Sequence, residues 1–134
     1  MSEFKRTAVI VDDEADVRAI VGGYLEDEGW QVIEAEDGEQ AVLRALDSNP
    51  DLMVLDIMMP GGNGYEALRE LRQDIRTAHV PIVMLTSVNE FELGRRQDAE
   101  SLGRDAGVRP PEGFVEKPVV RLQLLEAARY ALGD

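Results

Sequence analysis

A chain of 134 residues with 44% hydrophobic and 31% charged residues has the composition of one globular domain, long enough to bury roughly two-thirds of its unfolded surface. The 27 acidic against 14 basic residues give a net charge of −13, and the only adjacent basic pairs are Lys5-Arg6 and Arg95-Arg96, so no direct nucleic-acid partner is expected. With no cysteine, disulfides and thiolate metal sites are excluded; no signal peptide and no apolar run of ~18 residues is present, which points to a cytoplasmic chain with no membrane partner.

Short β-branched runs alternate with longer segments of helical period. Thr7 to Val11 predicts a first strand, ending in Asp12-Asp13. From Ala15 to Asp27, Val17, Ile20, Val21, Tyr24 and Leu25 recur at three- and four-residue steps, the inward stripe of a helix stopped at Gly29. Gln31 to Glu34 is a short second strand. After the Asp37-Gly38 turn, Ala41, Val42, Ala45 and Leu46 mark a second helix that ends at Ser48-Asn49-Pro50. Leu52 to Leu55 is a third strand, running into Asp56. Gly64 to Gln73 is a third helix with Ala67, Leu68 and Leu71 inward. Val80 to Leu85, almost wholly apolar, predicts a strand buried on both faces.

The stretch from Asn89 to Glu112 is less regular. Phe91, Leu93, Ala99 and Leu102 give some period for a fourth helix, but Gly103, Gly107 and Pro110-Pro111 are loop chemistry. Gly113-Phe114-Val115 is a fifth strand leading to Lys117-Pro118. Val119 to Leu132 is a terminal helix with Val120, Leu124, Leu125, Ala128 and Ala131-Leu132 inward. Strands alternating with helices imply a parallel sheet covered on both faces, an α/β fold whose ligands bind beyond the carboxyl ends of the strands.

Those ends carry chemistry. Asp12, Asp13, Asp56, Thr86 and Lys117 each follow or close a strand. Three convergent carboxylates repel one another unless a cation sits between them, and an all-oxygen set suits Mg²⁺ or Mn²⁺ rather than zinc. A carboxylate is also a nucleophile toward phosphorus, with Lys117 placed to neutralise the transferring phosphoryl group and the Thr86 hydroxyl to hydrogen-bond it. His79 reads as a strand-edge residue, Trp30 as packing against a helix end, and Met53, Met58, Met59 and Met84 as core or turn packing.

Four motifs in order, Val11-Asp12-Asp13-Glu14, Asp56 with Met59-Pro60-Gly61 and Gly64, Leu85-Thr86-Ser87, and Phe114-Val115-Glu116-Lys117-Pro118, carry a resemblance that spans Arg6 to Leu132. The chain resembles a response-regulator receiver domain of two-component signalling, of the chemotaxis single-domain type. The resemblance implies a doubly wound (βα)5 flavodoxin-like fold with sheet order 2-1-3-4-5. It implies that Asp56 is the phosphoacceptor, that Asp13 binds Mg²⁺ directly with Asp12 helping through water, and that the Met58 backbone carbonyl adds a ligand. Lys117 would pair with the phosphoryl group, the Lys117–Pro118 bond would be cis, and Thr86 would move toward the phosphate with Phe114 as the coupled aromatic. The phosphodonor would be a sensor histidine kinase or phosphotransfer protein, and the output a downstream protein target, through a monomer or a phosphorylation-dependent dimer. One receiver domain over 1–134 with no output domain is expected, catalysing only its own phosphorylation and dephosphorylation.

Two departures from the family pattern stand out. The stretch between Thr86 and Lys117 is longer than usual by roughly nine residues, which the Gly103 to Glu112 loop would accommodate, giving an atypical fourth-helix region. Met58 and Val88, two positions past Asp56 and Thr86, are apolar where the family tunes attack of water on the acyl phosphate, so a long-lived phosphorylated state is expected. The other readings are a phosphorylation-independent pseudo-receiver and an aspartate-nucleophile phosphatase. The latter normally carries a second Asp at the position that Met58 fills.

Overall fold

In a computed structural model, residues 5–59, 64–87 and 107–134 are described. Five parallel strands, β1 (Thr7–Val11), β2 (Gln31–Ala35), β3 (Leu52–Asp56), β4 (Ile82–Thr86) and β5 (Gly113–Glu116), form one sheet in the order β2-β1-β3-β4-β5. Four helices lie among the described residues: α1 (Ala15–Glu26), α2 (Gly38–Ser48), α3 (Gly64–Gln73) and α4 (Arg121–Leu132). The expected doubly wound, flavodoxin-like sheet is what the chain adopts. The fourth helix expected within Asn89 to Glu112, and Val88, fall largely outside the described residues.

Strand residues alternate between two apolar layers because successive side chains point to opposite faces. On one face Val9, Val11, Met53, Leu55, Ile82 and Met84 meet Ala41 and Ala45 of α2 and Ala67, Leu68 and Leu71 of α3. On the other, Ala8, Ile10, Leu52, Val54, Val83 and Leu85 meet Val21 and Leu25 of α1 and Leu124 and Ala128 of α4. β3 and β4 are buried along their whole length, the signature of strands covered on both sides.

Element ends follow local chemistry. The Asp37 side chain caps α2 by accepting from the Gln40 N–H at 2.8 Å, and Asn49 closes it in the left-handed conformation (φ 47°) just before Pro50. Gly29 turns the chain after α1 at φ 91°, a value that costs glycine nothing. β4 begins at Ile82 rather than Val80, because Val80 N–H bonds back to Thr77 and Pro81 has no N–H to give.

Two residues read as inward are not. Ile20 is 49% exposed, one helical step off the seam of Val21 and Leu25, and the buried Gly22 lies against Val32 instead. Val120, also 49% exposed, is the extended residue before α4 rather than part of its apolar face.

A partly buried ion pair fastens the amino-terminal end of the sheet. The guanidinium of Arg72 on α3 donates to the carbonyls of Ala78 (3.1 Å), Val80 (2.7 Å) and Pro110 (3.3 Å) and to Glu112 Oε1 at 2.6 Å. Glu112 Oε1 also accepts from the Ile82 N–H at 2.8 Å, and Glu112 N–H donates to Ile82 O. The chain therefore enters β5 already tied to the start of β4. Removing the buried guanidinium takes the donor from three carbonyls and from the partly exposed Glu112 carboxylate, so Arg72→Ala is expected to cost about 3 kcal/mol of unfolding free energy in urea denaturation.

Candidate functional site

The chain order β1 to β2 runs one way and β3 to β5 the other, so the sheet order reverses beside β1 and opens a crevice beyond its carboxyl edge. Asp12, Asp56, Thr86 and Lys117 all sit at that edge. Backbone bonds fix these strand ends. Asp12 N–H donates to Ala35 O at 3.1 Å, Ile57 N–H to Leu85 O at 3.0 Å, and Lys117 N–H to Thr86 O at 2.6 Å, so the ladders continue one residue past the strands. The Lys117–Pro118 peptide bond is cis.

Gly64 sets the depth of the turn after β3. Its N–H donates to Ile57 O at 2.6 Å, and a Cβ there would overlap the carbonyl oxygen of Asp56 and come within 2.8 Å of Ile57 Cα. Only a residue without a side chain lets α3 begin so close to the Asp56 backbone.

The Lys117 ammonium bridges two carboxylates, 2.8 Å from Asp12 Oδ2 and 3.3 Å from Asp56 Oδ2. Asp12 is fully buried and Asp56 is 3% exposed. Asp12 Oδ1 accepts from the Glu14 N–H at 2.9 Å, and Asp56 Oδ1 from the Met58 N–H at 3.4 Å. Beyond this ammonium, Asp12 Oδ2 and Asp56 Oδ2 have no hydrogen-bond partner among the described residues. Asp13 is exposed, yet oxygens of Asp12, Asp13 and Asp56 lie within 4.8 Å of one another. Two buried oxygens that share a single ammonium, in an all-carboxylate set, fit a hard divalent cation such as Mg²⁺.

Burial, and then the neighbouring charge of Asp12, push the Asp56 carboxyl from 3.8 up to about 7, against the opposing pull of Lys117. Burial alone would lower the Lys117 pKa, but contact with Asp12 and the charges of both carboxylates hold it above the ordinary lysine value.

Thr86 is buried and Phe114 half-buried. They lie on the same face of adjacent strands, since Met84 registers with Phe114 and Thr86 with Glu116. Met58 is 58% exposed at the rim. His79 is exposed beyond the opposite end of the sheet, and Trp30 packs against the α1/α4 layer with Arg6 over its ring at 5.9 Å. Arg18 was not singled out from sequence, although it reaches the Asp12 carbonyl. The signal was a cation five residues past Asp13 on α1, with Glu34 and Glu36 at the neighbouring strand end.

The family model of the response regulator receiver domain matches residues 8–129. The chain belongs to that family. The phosphate regulon transcriptional regulatory protein PhoB of Pseudomonas aeruginosa is 35% identical over 127 residues, covering 95% of this chain and 52% of that protein. The transcriptional regulatory protein ResD of Bacillus subtilis is 42% identical over 102 residues, 76% of this chain and 41% of that one. The chain thus spans about half the length of the curated relatives it matches. The chemotaxis response regulator CheY4 of Vibrio cholerae superposes with a TM-score of 0.79 at 26% identity, covering 96% of this chain and 100% of its own. This receiver domain is accordingly a module of two-component signalling. No helix among the described residues is long and apolar enough to cross a membrane.

A raised carboxyl pKa has a definite thermodynamic sign. Folded Asp56 holds its proton up to about pH 7 while the unfolded chain releases it near 3.8, so stability falls as pH rises between those values. In metal-free buffer at pH 8, Asp56→Asn is expected to be more stable than wild type by on the order of 3 kcal/mol. The difference should shrink as pH is lowered through 7 toward 4 in paired thermal melts.

Proposed function

We propose that this receiver domain is a phosphorylation-controlled switch in which Asp56 accepts a phosphoryl group from the phosphohistidine of a sensor histidine kinase or phosphotransfer protein. The observation that carries this reading is the buried Asp56 carboxylate, 3.3 Å from Lys117 Nζ and clustered with Asp12 and Asp13. Asp12, Asp13, Asp56 and the Met58 backbone carbonyl would hold Mg²⁺ or Mn²⁺. When bound, that ion neutralises phosphoryl oxygens and the repulsion among the carboxylates.

An Asp56 carboxylate oxygen attacks phosphorus, the P–N bond of the donor breaks, and the imidazole leaves with the bonding electrons. Lys117, cationic throughout, faces the charge that the phosphoryl group brings and holds Asp56 against the β3 turn. The Thr86 hydroxyl turns toward a phosphoryl oxygen. Phe114, on the same face of the next strand, follows and alters the surface that a downstream protein target reads, in a monomer or a phosphorylation-dependent dimer. The chain acts as one receiver unit over 1–134, with its output reached through protein contacts.

Incubation with Mg²⁺ and acetyl phosphate, followed by intact-mass measurement, tests the reading. One added phosphoryl group is expected on wild type and none on Asp56→Asn, while Lys117→Ala should slow the gain by about 10²-fold. No acyl phosphate and no response to beryllofluoride would instead indicate a pseudo-receiver. Steady release of phosphate from varied monoesters would indicate a phosphatase.

Met58 at the rim bears on the lifetime of the product. Apolar side chains at positions 58 and 88 give attacking water no hydrogen-bond partner, so the acyl phosphate is expected to persist. Replacing Met58 by Asn together with Val88 by Glu should shorten its half-life by about 10-fold when decay is followed after removal of donor; a half-life that stays fixed or lengthens removes the shielding argument.

A further inference from the structure

Asp12 has four polar handles, and three are occupied without α1 side chains: its N–H by Ala35 O, Oδ1 by the Glu14 N–H, and Oδ2 by the Lys117 ammonium. The fourth is its backbone carbonyl. Arg18, on the second turn of α1 with a side chain only 11% exposed, donates to that oxygen from NH1 at 2.7 Å. Its Nε donates to Glu34 Oε1 at 2.8 Å, and Glu36 Oε1 lies 3.9 Å from NH2.

The Asp12 carbonyl belongs to the peptide that joins Asp12 to Asp13. That unit is planar, so fixing the direction of its oxygen also fixes the N–H and Cα of Asp13. Asp13 itself is exposed, so burial does little to fix it. A guanidinium presents its donors in a rigid planar fork, so one side chain holds the peptide and Glu34 in a fixed relative orientation, which the point charge of a lysine does less well. Glu34 and Glu36 also offset the charge of Arg18, so it does not act as a bare cation beside the acidic cluster.

We propose that Arg18 is a positioning residue for the metal-binding step: it locks the Asp12–Asp13 peptide so that both carboxylates stay within reach of one divalent cation, with Glu34 as its anchor. The inference rests on the metal-dependent phosphoacceptor reading above.

The test titrates Mg²⁺, without any phosphodonor, into wild type, Arg18→Met, Arg18→Lys and Glu34→Ala by calorimetry, with amide exchange at Asp13 and Glu14 followed by NMR in EDTA. Arg18→Met keeps the aliphatic stem and removes the donors; it is expected to weaken Mg²⁺ binding by about 10-fold and to speed both amides. Arg18→Lys should recover part of the affinity. Equal Mg²⁺ affinity and equal amide exchange in Arg18→Met and wild type, whatever their melting temperatures, would overturn the inference alone. A wild-type chain that binds no Mg²⁺ would remove it together with the phosphoacceptor reading. Should Arg18→Met not fold, Glu34→Ala decides: weakened binding supports the anchor, and unchanged binding overturns it.

Discussion

One ammonium between two buried carboxylates is the constraint on which the rest of this molecule turns. Lys117 meets Asp12 and Asp56 at once, so ionising both carboxylates leaves the buried group with one more negative charge than positive, and Asp13 adds a further carboxylate at its edge. Low dielectric makes such an imbalance costly, and the raised carboxyl pKa of Asp56 is its direct expression. A site in this condition favours anything that brings further positive charge to the oxygens that share this one ammonium. The same burial keeps Asp56 aimed and sheltered.

The opposite end of the sheet makes an instructive contrast. There the Arg72 guanidinium meets three carbonyls and the Glu112 carboxylate, which in turn accepts from the β4 backbone; among the described residues Arg72 Nε is left without a partner. Charge is nearly satisfied where the fold is fastened and unsatisfied where chemistry is expected. β3 and β4, which run between the two ends, are buried on both faces, which makes them rigid connectors between anchor and site. Gly64 and the backbone bonds of Ile57 and Lys117 carry that rigidity into the turns.

Much of this was legible in the amino-acid sequence because it is local. The period of two in the strands and of about 3.6 in the helices named the elements. Proline and glycine placed their ends, as at Asn49-Pro50 and Gly29. Where the expectation slipped, the reason was also local geometry: Pro81 delays β4, and Ile20 and Val120 sit one step outside the seams that α1 and α4 bury. Arg18 and the Arg72–Glu112 pair were missed because both depend on what another element supplies. Arg72 lies 40 residues from Glu112, and Arg18 reaches a backbone carbonyl, a group that every residue has and no sequence pattern marks.

The sequence by itself determined the parallel α/β class with both faces of the sheet covered, the boundaries of most elements, and the set of charged and hydroxyl residues at the strand ends, since each follows from short-range periodicity and turn chemistry. Only the tertiary structure decided which of those residues touch, how deeply Asp12 and Asp56 are buried, and which oxygens are left without a partner. Distances, burial and pKa arise from segments far apart in the chain that packing brings together, and no local pattern encodes them.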